Sequence, residues 1–373
     1  MKKKVVIQFL CGMNDGGAET LVKDYCLLSK KDDINIFPLV IYDSEEKCAN
    51  KELLLNNGII IESIYNKHSI FYRLLNRMLP KYTAFRLMRI LDKYHPSAIH
   101  VHMDCLRYMA CISDYLIKNN IRIMYTCHSE PREMLKKNTK EFVACQFLIE
   151  KNNLQLIALH KSMARELNEM FHVENTIVVN NGVDFAQYEN IKSYRYEIRK
   201  ELSIPDDSFL IGHVGRFHKV KNHNFILKVF LECQKMNKNT NLLLVGNGPL
   251  KEEILEKIKE AGIEKKVMVL EHRQDVPKLL SAMDCFIFPS LYEGLSIAAI
   301  EAQLAEVKIV MSDTIKNDVC LSKNIIVNSL NDSAESWANA VLYEEGNYDV
   351  KGDIKEFDMR CIIKQLEDLY INN

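Results

Sequence analysis

The 373-residue sequence lacks the short motifs that mark several large enzyme classes. It has no G-x-x-x-x-G-K-[ST], no H-E-x-x-H and no G-x-S-x-G, so nothing in it points to a P-loop, a zincin or an α/β-hydrolase site. It also has no D-x-D pair. If the protein binds a diphosphate, this absence argues against a metal ion that holds the diphosphate. Positive side chains and backbone amides would then have to balance the charge of a bound diphosphate, and neither a metal nor another cofactor is expected.

Paired cysteines and long apolar runs are also missing. The eleven cysteines are scattered and none forms a C-x-x-C pair, which is typical of reduced thiols in a cytoplasmic protein. No apolar stretch approaches the length of a transmembrane helix. The apolar run near the start ends early in a Gly/Asn/Asp loop, so it predicts a first β-strand rather than a signal peptide. The formal net charge of -1 gives no reason to expect nucleic-acid binding.

Apolar, β-rich runs alternate with helical patterns along the whole chain. Strands that are buried on both faces and alternate with helices form parallel, doubly wound sheets. Because 373 residues are too many for one core of ordinary size, the sequence predicts an α/β protein with two such domains. The predicted strands are Val5–Leu10, Ile36–Tyr42, Ile59–Ser63, Ile99–His102, Ile121–Thr126, Leu156–Leu159, Thr176–Val179, Phe209–Val214, Leu242–Gly246, Val267–Leu270, Cys285–Phe288 and Lys308–Met311.

The best break between the two halves is the turn-rich segment Asn180–Asp184. It predicts an N-terminal domain over residues 1–183 and a C-terminal domain over residues 184–353. The final stretch, residues 354–373, has the apolar pattern of a helix that could pack on either domain, including back on the N-terminal one.

In doubly wound domains, ligands bind where loops leave the carboxyl ends of the strands. After Phe209–Val214 comes G-R-F-H-K-V-K, in which Arg216 offers a planar set of donors and Lys221 a compact charge. A departing diphosphate needs such groups; a solvated basic loop is the alternative, but the position at a strand end favours function. After the first strand, Gly16 and Gly17 precede a helix start that suits an anion, although a flexible turn explains them equally well.

Two further strand ends carry weaker signals. The segment G-N-G-P at Gly246–Pro249 is, on its own, a tight turn more often than a site. His128 follows another strand and could donate to a phosphate or a sugar hydroxyl, although a lone histidine is usually structural. His100 and His102 share one face of a strand and could bind a metal, but no third ligand stands at metal spacing.

The most informative stretch is F-P-S-L-Y-E-G-L-S-I-A-A-I-E at Phe288–Glu301. A buried strand leads into its loop and a helix of small residues starts near Ser296, so free amides and the positive end of a helix dipole lie at a strand end. The carboxylates of Glu293 and Glu301 could accept hydrogen bonds from sugar hydroxyls. Two glutamates at this spacing also occur by chance, but the flanking residues favour function.

With these residues in order, the chain resembles the retaining glycosyltransferases of family 4, which have the GT-B fold. The stretch after Glu293 is similar in particular to bacterial capsular and exopolysaccharide glycosyltransferases. The resemblance covers most of the chain, through Gly16–Glu19, His128–Ser129, Asn181–Asp184, Gly215–Asn222, Gly246–Pro249 and Glu293–Glu301.

The resemblance implies two Rossmann-like domains that face each other across a cleft. It further implies a retaining, metal-independent enzyme that moves a hexose or an N-acetylhexosamine from a nucleotide sugar. UDP is the favoured nucleotide, and the acceptor would be a saccharide or a polyprenyl-diphosphate-linked saccharide used in surface polysaccharide synthesis.

Roles for individual residues follow from the same resemblance. Arg216 and Lys221 would neutralise the diphosphate of the sugar donor. Glu293 would bind the transferred sugar, and His128 would contact that sugar or its phosphate. Glu301 would hold the ribose hydroxyls. The other residues predicted to bind the nucleotide sugar are Gly16, Gly17, Gly248, Arg273 (in the loop that would hold the base), Gly294, Leu295 and Ser296.

The segment Tyr65–His95 supports a hypothesis about a membrane partner. It is rich in Lys and Arg, contains a single acidic residue, Asp92, and interleaves these charges with aromatic and aliphatic side chains. Such a helix could lie on the anionic inner face of the plasma membrane, near a lipid-linked acceptor. An ordinary amphipathic helix that covers the sheet explains the pattern equally well.

Two other function classes remain open on the sequence alone. A nucleotide-sugar epimerase or a phosphorylase could share the GT-B architecture and the same binding residues. A two-domain sugar-binding protein without catalysis could share the architecture too, although such proteins are usually exported and carry a signal peptide.

Overall fold

The computed structural model describes residues 3–14, 16–29, 33–43, 48–66, 71–72, 74, 80–271, 273, 275–293, 296–315, 322–346 and 353–372. The chain divides into two compact units. The first consists of Met1–Gly182 together with Met359–Asn373, and the second is Val183–Asp358. The chain therefore passes from one unit to the other twice.

The first unit is built on a parallel sheet that has seven strands in the described part of the chain, in the order β3-β2-β1-β4-β5-β6-β7. Strand β1 lies in the middle because its side chains are buried almost throughout, and β2 and β4 pair with it on either side. The strands are β1 (Lys4–Leu10), β2 (Ile34–Tyr42), β3 (Glu62–Tyr65), β4 (Ala98–His102), β5 (Arg122–Thr126), β6 (Gln155–Ala158) and β7 (Ile177–Val178).

Helices connect these strands, as parallel pairing requires. They are α1 (Gly17–Leu28), α2 (Ala49–Asn56), α3 (Pro80–Tyr94), α4 (Leu106–Cys111), α5 (Ser113–Lys118), α6 (Pro131–Met134), α7 (Lys140–Asn152) and α8 (Lys161–Phe171).

The second unit has a parallel sheet of six strands in its described residues, in the order β10-β9-β8-β11-β12-β13. The strands are β8 (Phe209–Val214), β9 (Thr240–Val245), β10 (Val267–Leu270), β11 (Cys285–Phe288), β12 (Lys308–Ser312) and β13 (Ile325–Asn328). The helices are α9 (Arg195–Glu201), α10 (His223–Met236), α11 (Lys251–Glu260), α12 (Val276–Ala282), α13 (Ile297–Leu304) and α14 (Ala334–Tyr343).

The predicted fold class is confirmed, because both sheets are parallel and their strands alternate with helices. One strand was not predicted. Strand β13 holds only a short apolar run, Ile325–Val327, between polar residues, and it pairs with β12 at the edge of its sheet. A run this short carries too little periodic signal to be recognised before its partner is known.

The last helix, α15 (Met359–Asn372), belongs to the first unit although it follows the second in the chain. Its residues Ile362, Ile363, Leu366 and Tyr370 are buried in the same hydrophobic core as Val6 on β1. Residues 354–357, which the apolar pattern joined to this helix, form a separate 3-10 helix in the second unit. None of the helices in the described part of the chain is long and apolar enough to cross a membrane.

Candidate functional site

The strand order of the second unit marks one edge of its sheet as a ligand site. Strand β8 is followed in the chain by β9 and β10 on one side, and the chain then returns to place β11 on the other side. Ligands of doubly wound sheets bind at such a reversal, outside the carboxyl ends of the two central strands. The loops after β8 and β11 leave the sheet there, and they carry Arg216, Lys221 and Glu293.

An ion pair joins these two loops. The Nζ atom of Lys221 lies 2.6 Å from Oε1 of Glu293, and their side chains are only 17% and 14% exposed. The same ammonium lies 5.1 Å from the ring centroid of Phe288, which is a favourable cation–π distance. The amide of Leu291 also donates to the carbonyl of Val220, at 2.8 Å. The fold therefore brings together two residues that were predicted separately, and each charge holds the other in position.

Arg216 lies in the same loop but is placed differently. Its side chain is exposed, and within the described residues no ion pair or side-chain hydrogen bond holds it. Its carbonyl accepts a hydrogen bond from the amide of His218, at 2.7 Å. The structure does not bring its guanidinium to Glu293 or Glu301, so its contact with a diphosphate stays a prediction.

The Gly246–Pro249 loop packs its backbone against the loop that carries Arg216. The amide of Phe217 donates to the carbonyl of Asn247 at 2.9 Å, and the amide of Leu250 donates to the carbonyl of Phe217 at 3.1 Å. Gly248 has φ +158°, and a Cβ atom there would lie 2.5 Å from the carbonyl oxygen of Phe217. The structure thus supplies a steric reason for this glycine, whereas its predicted contact with the nucleotide sugar stays untested.

Substitution of Gly248 should disturb this packing. We expect Gly248→Ala to lower the free energy of unfolding by about 2 kcal/mol, because the residue has a positive φ and its Cβ would meet backbone atoms. Urea denaturation followed by circular dichroism measures the change. Gly262→Ala is the matched control, since Gly262 has φ +66° but no atom within 4 Å of its Cβ position. Equal losses in the two variants would show that the Phe217 contact contributes nothing.

Helix α13 begins as the sequence predicted, and its second glutamate has an unforeseen partner. The Oγ atom of Ser296 accepts from the amide of Ala299 at 3.4 Å and caps the helix. The hydroxyl of Tyr188 donates to Oε1 of Glu301 at 2.9 Å. Burial and then the neighbouring Glu301 carboxylate raise the pKa of Tyr188, which keeps the phenol protonated as a donor. Gly294 lies outside the described residues, as does Leu295.

Arg273 is engaged by carboxylates within its own unit. Its guanidinium donates to both carboxylate oxygens of Asp275, at 2.7 and 2.6 Å, and to Glu201 at 2.6 Å. These contacts give Arg273 a structural role in holding its loop against α9. Its predicted contact with a nucleotide base stays a prediction, and His272 and Gln274 lie outside the described residues.

In the first unit, the strand order reverses between β1 and β4, and the predicted glycines lie beside that reversal. Gly16 occupies the N-cap position of α1, and its carbonyl accepts from the amide of Thr20 at 2.9 Å. A Cβ atom at Gly17 would have no neighbour within 4 Å, so space is open above the first turn of the helix. Asp15 lies outside the described residues.

His128 lies at the carboxyl end of β5, where it contacts one of the two histidines that were considered as metal ligands. Its Nε2 atom is 2.8 Å from Nδ1 of His102. His100 and His102 are fully buried, and all four of their ring nitrogens lie within hydrogen-bond distance of protein atoms. Within the described residues, no group of three or more His, Cys, Asp or Glu side chains is arranged to hold a metal ion.

Both units match models of known protein families. The family model described as Glycosyltransferase Family 4 matches residues 16–187, and the model described as Glycosyl transferases group 1 matches residues 195–341. Together the two matches take in most of the chain.

Individual relatives agree with these matches. The chain is 28% identical over 350 residues to EpsF of Bacillus subtilis (strain 168), whose name places it among the glycosyltransferases without giving a substrate; 91% of this chain and 87% of that protein are covered. It is 26% identical over 249 residues to the Escherichia coli UDP-Gal:alpha-D-GlcNAc-diphosphoundecaprenol alpha-1,3-galactosyltransferase, with 64% of this chain and 63% of that protein covered.

A solved structure agrees on the fold. Anabaena HepE, crystallised with UDP and glucose, is similar to this chain with a TM-score of 0.75 at 18% identity, and the comparison covers 100% of both chains. The two family matches, the relatives and this shared architecture agree with the motifs described above. The chain therefore belongs to glycosyltransferase family 4, and it is a glycosyltransferase with the GT-B fold.

Proposed function

We propose that this glycosyltransferase moves a hexose or an N-acetylhexosamine from a UDP-sugar to a saccharide or a polyprenyl-diphosphate-linked saccharide, with retention of configuration and without a metal ion. The partly buried pair of Lys221 and Glu293 at the strand-order reversal carries the proposal, because it combines a cation for a phosphate with a carboxylate for sugar hydroxyls. The names of relatives support these substrate classes. The name of the Escherichia coli relative describes the transfer of galactose from UDP-Gal to a diphosphoundecaprenol-linked sugar. HepE was crystallised with UDP-glucose.

In the proposed mechanism, the acceptor hydroxyl attacks the sugar on the face from which the diphosphate leaves. A phosphate oxygen takes the proton of that hydroxyl, so the protein needs no nucleophile of its own. The enzyme positions the two substrates and stabilises the charge that develops on the departing diphosphate. Lys221 and Arg216 supply positive charge, Glu293 accepts from the sugar hydroxyls, and Glu301 accepts from the ribose.

Release of UDP tests this proposal. The purified protein is screened by thermal shift against a panel of UDP-, GDP- and ADP-sugars, and a stabilising donor is then incubated with and without lipid-linked saccharide acceptors. We expect UDP to appear faster with an acceptor, the product to keep the anomeric configuration of the donor, and EDTA to leave the rate unchanged. Conversion of the sugar without release of UDP would identify an epimerase, and binding without any turnover would identify a sugar-binding protein.

We also propose that α3 contacts an anionic membrane surface. Its buried face, with Thr83, Leu87 and Leu91, packs on the first unit, while Tyr82 and Phe85 are 42% and 53% exposed. The exposed face also carries Lys81 and Arg89. Aromatic side chains between basic ones suit the interface of a bilayer that holds anionic lipids. Of the segment from Tyr65 to His95, residues 67–70, 73 and 75–79 lie outside the described residues.

Vesicle binding tests this membrane contact. We expect the double substitution Lys81→Ala/Arg89→Ala to weaken binding to phosphatidylglycerol vesicles at low salt by about 2 kcal/mol, or about 30-fold, because each basic residue contributes about 1 kcal/mol at such a surface. Co-sedimentation measures the change. Lys118→Ala/Arg132→Ala removes two exposed cations from other helices of the same unit and serves as the control. Wild-type protein that does not bind these vesicles would refute the contact.

A further inference from the structure

We propose that Cys11 and Cys105 form a redox-sensitive dithiol in the first unit, in which a peroxide oxidises Cys11 and Cys105 then closes a disulfide with it. The disulfide joins the loop after β1 to the start of α4 and lowers the activity of the enzyme until a dithiol reductant reopens it. The effect on activity rests on the proposed function. The disulfide itself can be detected without any substrate.

The two cysteines follow the carboxyl ends of neighbouring strands. Cys11 comes directly after β1, and Cys105 is the N-cap residue of α4, shortly after β4. Strands β1 and β4 pair in parallel, so both cysteines lie at the same edge of the first sheet. The strand order reverses between these two strands, and a doubly wound sheet binds its ligand outside such a reversal. A bond between the two cysteines therefore crosses the ligand edge of this unit.

The two sulfur atoms are close enough to react. The Sγ atom of Cys11 lies 3.2 Å from the Sγ atom of Cys105. Reacting atoms in a productive arrangement are about 3–3.5 Å apart, and this distance falls in that range. It is roughly 1 Å longer than a disulfide bond, which measures about 2.05 Å. A small movement of the two side chains is therefore enough to close the bond.

The backbone on each side of this pair is held in place. The carbonyl of Cys11 accepts a hydrogen bond from the amide of Tyr42 on β2, at 3.2 Å. On the other side, the carboxylate of Glu141 on α7 accepts from the amide of Leu106 at 2.9 Å and anchors the start of α4. Because both segments are anchored, the short distance between the sulfurs is a property of the fold.

The two thiols have different roles. Cys11 is partly exposed, so a small oxidant can reach it, whereas Cys105 is fully buried. A hydrogen bond from Cys105 lowers the pKa of Cys11 below its usual value; Arg107 also lowers it. Burial and the charges of Asp104 and Glu141 oppose that shift. Burial, and then the hydrogen bond to Cys11, raise the pKa of Cys105 well above its usual range. Since the thiolate is the nucleophile, Cys11 reacts first.

Hydrogen peroxide supplies the oxidising equivalents. The Cys11 thiolate attacks one oxygen of the peroxide, the O–O bond breaks, and the other oxygen takes up the proton that Cys11 lost and leaves as water. Cys11 is then a sulfenic acid, which condenses with a thiol. The sulfur of Cys105 attacks the sulfur of Cys11, the S–O bond breaks, and the departing oxygen carries the Cys105 proton away as a second water. Two electrons have then passed from the sulfurs to the peroxide.

The new bond changes the position of a loop at the ligand edge. The loop that begins with Cys11 continues through Asn14, whose carbonyl accepts from Nδ2 of Asn50 at 2.9 Å, to Gly16 at the N-cap of α1. Bond formation draws the start of this loop toward α4 by part of the distance between the sulfurs. A misplacement of about 1 Å far from the reacting atoms can lower an enzymatic rate about 100-fold. We therefore expect the oxidised protein to be much less active.

Peptide mapping of the purified protein tests the disulfide. Reduced protein is treated with a small excess of hydrogen peroxide, blocked with iodoacetamide under denaturing conditions and digested with trypsin without a reductant. Cys11 and Cys105 fall in different tryptic peptides, 5–23 and 94–107, and Cys111 falls in a third, 108–118. We expect peptides 5–23 and 94–107 to be linked, and dithiothreitol to separate them. Oxidation of Cys111 while Cys11 and Cys105 are both still alkylated would overturn the proposal.

Single substitutions test the order of the two steps. In Cys105→Ser the second step cannot occur, so we expect dimedone to trap a sulfenic acid at Cys11. In Cys11→Ser we expect no dimedone adduct at the buried Cys105. Cys111→Ser removes an exposed thiol from α4 and is the control, with the same linked peptides as the wild type. A dimedone adduct at Cys105 in Cys11→Ser would overturn the assigned roles. The wild-type peptide map decides whether the bond forms even if a variant does not fold.

Activity measurements separate this inference from the proposed function. We expect peroxide to slow the release of UDP about 100-fold in the wild type and in Cys111→Ser, and dithiothreitol to restore the rate. In Cys11→Ser, the rates before and after peroxide should be the same. Linked peptides without a loss of rate would overturn the regulation of activity. If the reduced protein turns over no UDP-sugar while peroxide still links the two peptides, the UDP-sugar proposal fails and the redox site stands.

Discussion

Lys221→Ala is expected to lower kcat about 10²–10³-fold, which corresponds to about 2.7–4 kcal/mol of transition-state stabilisation, because a fixed charge next to a departing diphosphate acts mainly as the bond breaks. Glu293 and the face of Phe288 hold Lys221 in place, so its positive charge is already in position when the transition state forms. Steady-state kinetics with a saturating UDP-sugar and acceptor measure the loss.

Two further variants make this result interpretable. Lys221→Ala also removes the partner of the partly buried Glu293 carboxylate, and part of its effect could therefore come from a disturbed loop. Arg216 is exposed and supports no such contact, so Arg216→Ala should lose about 2–4 kcal/mol of transition-state stabilisation with an unchanged Tm. Lys219→Ala, which removes an exposed charge from the same loop, should keep nearly full activity. Wild-type turnover in both Lys221→Ala and Arg216→Ala would refute the proposed role of the two cations.

Glu301→Ala is expected to weaken UDP binding by about 1.5–3 kcal/mol, or about 10–150-fold, because two ribose hydroxyls would lose a charged acceptor. Tyr188→Phe should weaken it less, by about 1 kcal/mol, because the carboxylate remains and loses only the hydrogen bond that orients it. Isothermal titration calorimetry with UDP measures both changes.

The matched control for this pair lies just after the same helix. Glu306 is exposed and pairs with Lys192 at the surface, so Glu306→Ala should bind UDP like the wild type. The ranking of the three variants is the critical result. If Glu301→Ala and Glu306→Ala bound UDP equally well, Glu301 would not hold the ribose. If Tyr188→Phe bound UDP as weakly as Glu301→Ala, the tyrosine would have to contact the nucleotide itself.

The secondary structure followed closely from local sequence. The bounds of β8, β10 and β11 agree residue for residue with the apolar runs Phe209–Val214, Val267–Leu270 and Cys285–Phe288. Strands that are covered on both faces must be apolar along most of their length, and the polar or glycine-rich loops that follow them mark their ends. The same logic located the predicted site loops, because the residue types at strand ends can be read directly from the chain.

Local sequence was less informative where a residue has both a structural and a ligand-binding explanation. Gly248 was included in the predicted site as part of a motif, and the structure shows that the backbone of Phe217 leaves no room for a side chain there. Arg273 was included through its loop, and the structure shows its guanidinium between Asp275 and Glu201. A pattern of residue types cannot separate these explanations, because both require the same residue.

Apolar periodicity and the residues at strand ends were enough to predict two doubly wound units and the loops that carry Lys221, Glu293 and Glu301, while the glycosyltransferase family was predicted from the resemblance of the motifs in those loops to a known family. Strand order and side-chain packing decided which of these residues meet. Tyr188 bonds to Glu301 across 113 residues of sequence, and Gln8 bonds to Tyr370 across 362. Such contacts depend on which strands become neighbours and which helix covers them, and this is set by the burial of the whole core and not by any local pattern.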